Sequence, residues 1–537
     1  MTGGLAAAPA GERRLGQTAR MVLDDGTRRW WILAAMTGTL SMMMLDSTVV
    51  SVALPSIQAD LDLTQTELQW VVNAYLLALA AFVAVAGRIS DMLNRVHVMI
   101  AGIAIFVFFS AMCGLAQSET WLIGSRALQG IGAALMIPPT ATVVVNTFGV
   151  DERGKAMGIY AGISMIFLSL GPLIGGVLTE SLDWRWVFWV NLPVGLTTIA
   201  MVLWTRPEGR VEGGQTLDKL GLVTLVPGLT LLVLGFMEAS NWGWGSAKTI
   251  GAIAVGALLL AVFAFIERRE ASPLVELRLF GVRNFRGDTT VLFFAQFALM
   301  GLTIFGAIFT QDILGFTPIE AGLGLLPVTL PLLVAAPLAG RIYDRTGPRA
   351  LATAGTLAAA IGFAITAGVL SEQEYWLLVP GYILIGAGIG LVMSPTNTDA
   401  MSSAPPKLRG QASGTIQTVR QVGGTMGIAL LGTLVANIQN DKLSDLLLGL
   451  GETEAQVDNA ERILAEDPAG QAEITQGLSP AEAQQVASGS QDAIVDGIAA
   501  AYWAAGGVML IAAIVAFMVL RRTHYTDDAP EPTPALA

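Results

Sequence analysis

Gly87-Arg88-Ile89-Ser90-Asp91-Met92-Leu93-Asn94 returns 253 residues later as Gly340-Arg341-Ile342-Tyr343-Asp344-Arg345-Thr346-Gly347. Two more strings repeat 256 residues apart. Gly130-Ile131-Gly132, with Leu135, Pro139 and Thr140, answers to Gly386-Ala387-Gly388, with Leu391, Pro395 and Thr396. Arg153-Gly154-x-Ala156-x-Gly158 answers to Arg409-Gly410-x-Ala412-x-Gly414. Three matches in one order at nearly one spacing indicate a duplicated unit with extra sequence between the copies.

The 537 residues are 53% hydrophobic and 13% charged, with mean hydropathy +0.61, too apolar for a soluble chain of this size. Stretches long enough to span a bilayer begin near residues 30, 69, 97, 121, 156, 186, 220, 248, 288, 321, 350, 376, 413 and 497, which makes fourteen. The expected fold is an all-α integral membrane protein of two six-helix bundles, residues 30–205 and 287–520, joined by a linker at 206–286 that carries two extra helices. Parallel repeats of this kind build transporters whose substrate path lies between the halves, near the midplane. Tails occupy residues 1–29 and 521–537. Of the 30 Lys and Arg, 24 lie in the tails and even-numbered loops and 4 in the odd-numbered loops, so both termini are expected in the cytoplasm. The apolar run after Arg28 and Arg29 is too long for a cleaved signal, so helix 1 is expected to remain as an anchor.

The net charge of −12 is local in origin. Residues 439–495 hold eleven acids against Lys442 and Arg462, which reads as a solvated extracytoplasmic loop with no apolar face long enough to pack. The lone cysteine, Cys113, sits in an apolar run and excludes an intrachain disulfide. With only His97 and His524 and no cysteine cluster, no metal site is expected. Gly149-Val150-Asp151-Glu152-Arg153-Gly154-Lys155-Ala156 approaches a phosphate-binding loop, but it ends in Ala and carries two acids that repel phosphate. No enzymatic activity, cofactor or nucleic-acid partner is expected.

Charges inside the apolar runs mark candidate sites. Asp46 lies in the second half of the first run, where a carboxylate costs about 2.5–3.5 kcal/mol and so needs a partner, a cavity or a job. Arg126 lies in the fourth run and stays charged at any relevant pH, so it can hold down the pKa of a nearby carboxylate. Neither is duplicated: Asp46 faces leucine and Arg126 faces Tyr382 at the repeat spacing. Scaffold residues should repeat, whereas coupling residues need not. In the repeated string, the carboxylates Asp91 and Asp344 end a helix, and Asn94 or Gly347 can take the positive φ of a tight turn. In helix 5, Gly171, Pro172, Gly175 and Gly176, with Gly158 and Gly162 before them, permit close helix packing and a bend.

Together these strings resemble the fourteen-helix drug:proton antiporters of the major facilitator superfamily. Leu45-Asp46-Ser47-Thr48-Val49-Val50-Ser51-Val52-Ala53-Leu54-Pro55 is similar to their first helix, although Ser51 replaces the usual Asn. The Gly87 string resembles the loop between helices 2 and 3, with Met92 and Asn94 departing from it. Arg126-Ala127-Leu128-Gln129-Gly130-Ile131-Gly132 resembles the helix 4 motif tied to proton transfer. Ser169-Leu170-Gly171-Pro172-Leu173-Ile174-Gly175-Gly176 resembles the antiporter signature, with Phe167 where another Gly is common. Trp184-Arg185-Trp186-Val187-Phe188-Trp189-Val190-Asn191-Leu192-Pro193, Leu217-Asp218-x-x-Gly221, Glu267-Arg268-Arg269 and Arg420-Gln421-Val422-Gly423-Gly424 extend the likeness over residues 30–435 and helix 14.

The resemblance implies a monomeric exporter of amphipathic, cationic drugs or antibiotics in the cytoplasmic membrane, driven by the proton gradient. Asp46 would hold a proton or a substrate cation in turn, with Arg126 beside it and Gln129 and Asp312 on the substrate path. Gly87, Asp91, Arg95, Gly340, Asp344 and Arg345 would form the cytoplasmic gate. Asp91 and Arg95 would latch onto Asp151 or Glu152, or onto the positive end of the helix that begins near Ala412. The alternatives are an exporter dedicated to one native metabolite and, in another class, a non-transporting membrane sensor or scaffold.

Overall fold

The computed structural model describes residues 24–209, 217–270, 272–450 and 479–522. Among them are fourteen helices long and apolar enough to cross a membrane, which makes this a multi-pass membrane protein. The first six are α1 (Asp25–Leu61), α2 (Gln65–Met92), α3 (Arg95–Gly114), α4 (Glu119–Thr147), α5 (Arg153–Ser181) and α6 (Asn191–Thr205), which with the helical turn Trp186–Trp189 before it makes the span Trp186–Thr205. An inserted pair follows, α7 (Lys219–Met237) and α8 (Ala247–Glu267). The second half holds α9 (Arg283–Ile308), α10 (Leu326–Thr346), α11 (Pro348–Val369), α12 (Tyr375–Ser403), α13 (Arg409–Gly449) and α14 (Pro480–Val519). With an even number of crossings, both described ends of the chain lie on one face of the bundle, called here the termini face.

Polar residues at the helix ends account for many of the boundaries. Thr64 and Glu67 form a reciprocal capping box at the start of α2, satisfying two N–H groups that the first turn leaves without carbonyls. Ser118 caps α4 and Asp218 caps α7 more simply, each side chain accepting from one N–H of the first turn. The repeated string turns differently in its two copies. Gly347 adopts φ +77 as expected, whereas Asn94 stays at φ −64 and its Oδ1 accepts from Val96 N at 3.0 Å and His97 N at 3.3 Å. A side chain able to cap removes the need for a left-handed residue.

Each half has its own apolar core. In the first, Met36, Tyr75, Met99, Phe106 and Met136 pack among α1 to α4; in the second, Phe305, Phe363, Tyr382, Ile389 and Tyr502 pack among α9, α11, α12 and α14. The α7–α8 pair lies against α2 and α13 through Leu225, Leu229 and Phe263 on Ala84, Val85 and Val422. The halves meet where glycines remove side chains. A Cβ on Gly87 would stand 2.5 Å from Gly410 O, and Gly154 and Gly340 leave no room for one on either side. These contacts join α2 to α13 and α5 to α10 by the same pseudo-twofold relation that the repeat announces.

The acidic segment departs from expectation where it is described. Helix α13 continues to Gly449 and α14 starts at Pro480. Leu443 and Leu447 of α13 pack with Val486 of α14, and Lys442 pairs with Asp496. The leucines lie four apart on one helical face, so the acids around them mask an amphipathic pattern. The rest of that segment, 451–478, lies outside the described residues.

If Gly87 sets the approach of α2 to α13, Gly87→Leu pries the halves apart at the termini face. Ser90 is buried there, and so is the native thiol, Cys113. In a Cys113→Ser background, Ser90→Cys is expected to resist a water-soluble maleimide, and adding Gly87→Leu to speed labelling at least ten-fold. Equal labelling rates would show that the glycine contact does not hold the halves together.

Candidate functional site

Asp46 sits past the middle of α1 and is 0% exposed. Its Oδ2 accepts from Arg126 Nη1 of α4 at 2.8 Å. Its Oδ1 accepts from Gln129 Nε2 at 2.9 Å and from Asn191 Nδ2 at 2.8 Å. Asn191 begins α6 and also donates to Ser110 Oγ at 3.0 Å, and Ser110 in turn donates to Phe188 O at 2.7 Å. The guanidinium is equally occupied. Nε donates to Val71 O of α2 at 3.0 Å and Nη1 to Gln129 Oε1 at 2.7 Å, while the Tyr75 ring lies 4.4 Å from Cζ and the Phe188 ring 5.8 Å. Cys113 borders the cluster, its Sγ 3.7 Å from Gln129 Oε1. Five helices of the first half thus converge on one compensated charge pair.

In such a pair, deleting one partner strands the other charge in low dielectric and costs about 3–5 kcal/mol. Desolvated stacking of the guanidinium on aromatic faces adds about 2 kcal/mol that does not depend on the carboxylate. Arg126 therefore stays anchored when Asp46 is neutral. A proton on Asp46 removes the attraction at Oδ2 and leaves the amide contacts of Gln129 and Asn191 in reach of the neutral acid.

The strings around this pair fix its geometry. Gln129 lies one turn beyond Arg126, so both side chains leave α4 on the same face. Thr48 and Val49, just after Asp46, are the residues on which α5 rests. Thr48 Oγ1 donates to Leu168 O at 2.9 Å, and a Cβ on Gly175 would meet Val49 O at 2.7 Å. Gly171 leaves no space for a side chain beside Thr48. Helix α5 runs without interruption through residues 171–176. On its other side, Gly176 faces Ile319 of the second half, 3.5 Å from where a Cβ would stand.

On the termini face, two carboxylates dock on helix starts across the pseudo-twofold axis. Asp91 accepts from Gly410 N at 2.9 Å and Gln411 N at 2.7 Å, in the first turn of α13. Asp344 accepts from Gly154 N at 2.9 Å and Lys155 N at 3.3 Å, in the first turn of α5. Of the partners expected for Asp91, the helix end is the one present; Glu152 is taken by Arg29 at 2.6 Å. Arg95 clamps the first latch, donating from Nη2 to Asp91 Oδ1 at 2.9 Å and to Pro406 O at 2.8 Å. The second latch has no such clamp among the described residues: Pro348 stands at the matching position, and Arg345 is exposed, its carbonyl accepting from Arg522 Nη2 at 2.6 Å. A buried cluster backs this latch instead: Tyr343 OH donates to Asp399 Oδ1 at 3.0 Å and Asn284 Nδ2 to Asp399 Oδ2 at 2.8 Å.

Asp312 is not part of either arrangement. It lies exposed on the turn Phe309–Ile313 at the end of α9 away from the termini face. Asn191, Ser110 and Tyr75 belong to the site and escape a search for charges, being neutral. Asn191 and Phe188 do fall within the quoted tryptophan-rich string, whose aromatics read as an interface belt.

Two duplicated six-helix halves, a buried charge pair in one and docked carboxylates between them define a secondary transporter of small molecules. The sequence signature described as Major Facilitator Superfamily matches residues 36–428, and the chain belongs to that family. It is 32% identical over 517 residues to the tetracenomycin C resistance and export protein of Streptomyces glaucescens, covering 95% of each chain. It is 36% identical to the puromycin resistance protein pur8 of Streptomyces alboniger, covering 78% of this chain and 84% of that one. Among solved structures, the proton:xylose symporter XylE overlays with a TM-score of 0.59 at 15% identity, covering 91% of this chain and 95% of the other.

Because a Cβ on Gly175 collides with backbone of α1 rather than with a movable side-chain tip, Gly175→Leu is expected to push α5 off the Asp46 helix. Transport should fall at least ten-fold while the amount of protein in the membrane stays within two-fold of wild type. Undiminished transport would reduce the glycine string to generic packing.

Proposed function

We propose that the protein is a proton-coupled antiporter that exports amphipathic drugs or antibiotics across the cytoplasmic membrane, as a monomer, with Asp46 as the proton-exchange group. The observation that carries this reading is the Asp46–Arg126 pair: a buried, compensated carboxylate at membrane depth, held by three donors and present in one half only. The names of the relatives, resistance and export proteins for antibiotics, support the direction and the substrate class. The concentration of Lys and Arg on the termini face supports its being the cytoplasmic side.

In this mechanism, a proton from outside neutralises Asp46 and frees Arg126 Nη1, while Val71 O and the Tyr75 ring keep the guanidinium in place. Helix α1, seated on α5 through Gly171 and Gly175, then changes its relation to α4, and the halves rock. Opening the termini face undocks Asp91 from α13 and Asp344 from α5, exposing the path to cytoplasmic substrate. Because Asp46 is sealed and saturated with donors, its occupant in this account is the proton, and the substrate binds elsewhere in the path. A single native metabolite as substrate is the second reading, favoured by relatives named for one compound.

The test is gradient-driven efflux from vesicles. Asp46→Asn keeps the shape but cannot take up the proton, and should abolish efflux with normal insertion; Asp46→Glu should retain part of it. Arg126→Lys should shift the pH optimum, because an ammonium sits differently and can lose its own proton when buried. Wild-type efflux and pH dependence in Asp46→Asn would place coupling at another carboxylate.

A further inference from the structure

Two arginines deep in this bundle are paired with buried carboxylates, and a third is not. Arg126 has Asp46, and Arg95 has Asp91. Arg420 lies eleven residues into α13, roughly 16 Å from its start at 1.5 Å per residue, and so close to mid-membrane. It stands where the halves face one another, with Tyr160 of α5 within electrostatic reach across the gap. Its hydrogen-bond partners are two neutral amides. Nε and Nη2 donate to Gln296 Oε1 of α9 at 3.3 and 3.0 Å, and Nη1 donates to Gln417 Oε1 at 2.8 Å. Among the described residues, no carboxylate is paired with it.

An amide oxygen orients a guanidinium but does not neutralise it, and this guanidinium keeps its proton at physiological pH. Three of its five N–H groups are used, which leaves one on each terminal nitrogen. That remaining pair is the fork that grips a carboxylate or a similar pair of oxygens. The fork is also held from behind. Gly423 brings α13 against α9, where a Cβ would meet Phe293 O at 2.5 Å, and Gly424 faces Gln296 itself. The Arg420-Gln421-Val422-Gly423-Gly424 string thus combines a cation, its orienting amide partner and the close approach that aligns them. The side chain is partly exposed.

We propose that Arg420, oriented by Gln296 and Gln417, is the docking point in the central path for an acidic oxygen group, carboxylate, enolate or phenolate, on the exported molecule. The inference rests on the exporter reading above and makes the substrate an organic acid, or a molecule that carries an acidic edge, rather than a simple cation. It also separates two tasks: Asp46 carries the proton, and Arg420 carries the cargo's charge.

The experiment uses the full-length protein in lipid nanodiscs with three fluorescent probes: anionic 5-carboxyfluorescein, cationic rhodamine 123 and neutral Nile red. Anisotropy should show that wild type binds the anionic probe more tightly than the cationic one. Arg420→Gln should weaken the anionic probe at least ten-fold and leave Nile red within three-fold, with Arg420→Lys intermediate because it keeps the charge and loses the fork. Anionic binding unchanged in Arg420→Gln, absent in wild type, or weakened equally with Nile red overturns the proposal. Vesicle efflux of the same probes separates the two readings. If wild type exports none of them while the Arg420-dependent binding persists, the exporter reading fails and the site stands; if it exports them with no Arg420-dependent selectivity, the site fails.

Discussion

A carboxylate and a guanidinium at membrane depth tolerate each other's absence poorly, and the first half of this protein is arranged so that neither is left alone. Asp46 draws donors from α4 and α6, and Arg126 draws acceptors from α1, α2 and α4 together with two aromatic faces. Attraction of this kind is strong only because water is excluded, and the same exclusion makes every change of protonation costly unless the surroundings move. In the proposed mechanism a single proton alters the relation of α1 to α4, and α1 is the helix on which α5 is seated.

The latches on the termini face add helix N-termini to charge pairing. A carboxylate at a helix N-terminus is stabilised by about 0.3–1 kcal/mol, up to about 2 kcal/mol where partly buried. Two such contacts, reinforced on one side by the buried Asp91–Arg95 pair, join the halves. Their unequal construction follows from the repeat: one copy kept an arginine after the turn, and the other has Pro348 there and a buried Tyr343–Asp399 contact behind it. Glycines on both sides of two helix crossings make the docking close, so that backbone fit and direction contribute alongside charge.

Much of this was legible in the sequence, for physical reasons that differ from case to case. Hydropathy exposes spans because the bilayer demands long apolar runs, and the internal repeat exposes the halves because duplicated scaffolds keep the same turns and helix crossings. Asp46 and Arg126 stand out as charges where lipid disfavours them, and Gln129 comes with the string that carries Arg126. Asn191, Ser110 and Tyr75 do not, since neutral hydrogen-bonding groups are unremarkable in a membrane helix until their partners are known. The turn at Asn94 was misread because one residue can either adopt positive φ or cap the next helix, and only the geometry of Val96 and His97 decides. The continuation of α13 past residue 439 was hidden by acids flanking Leu443 and Leu447, and Arg420 read as part of a string rather than as an uncompensated charge.

The central claim is that Asp46 is the group that gains and loses the coupling proton. Infrared difference spectroscopy on the purified protein in lipid, titrated from alkaline to acidic pH, tests it without any assumption about substrate. The account predicts a carboxylic-acid C=O band from a dehydrated site that grows reversibly on acidification, accompanied by a shift of guanidinium modes from Arg126, with both changes missing in Asp46→Asn. The same band and the same titration in Asp46→Asn would contradict it.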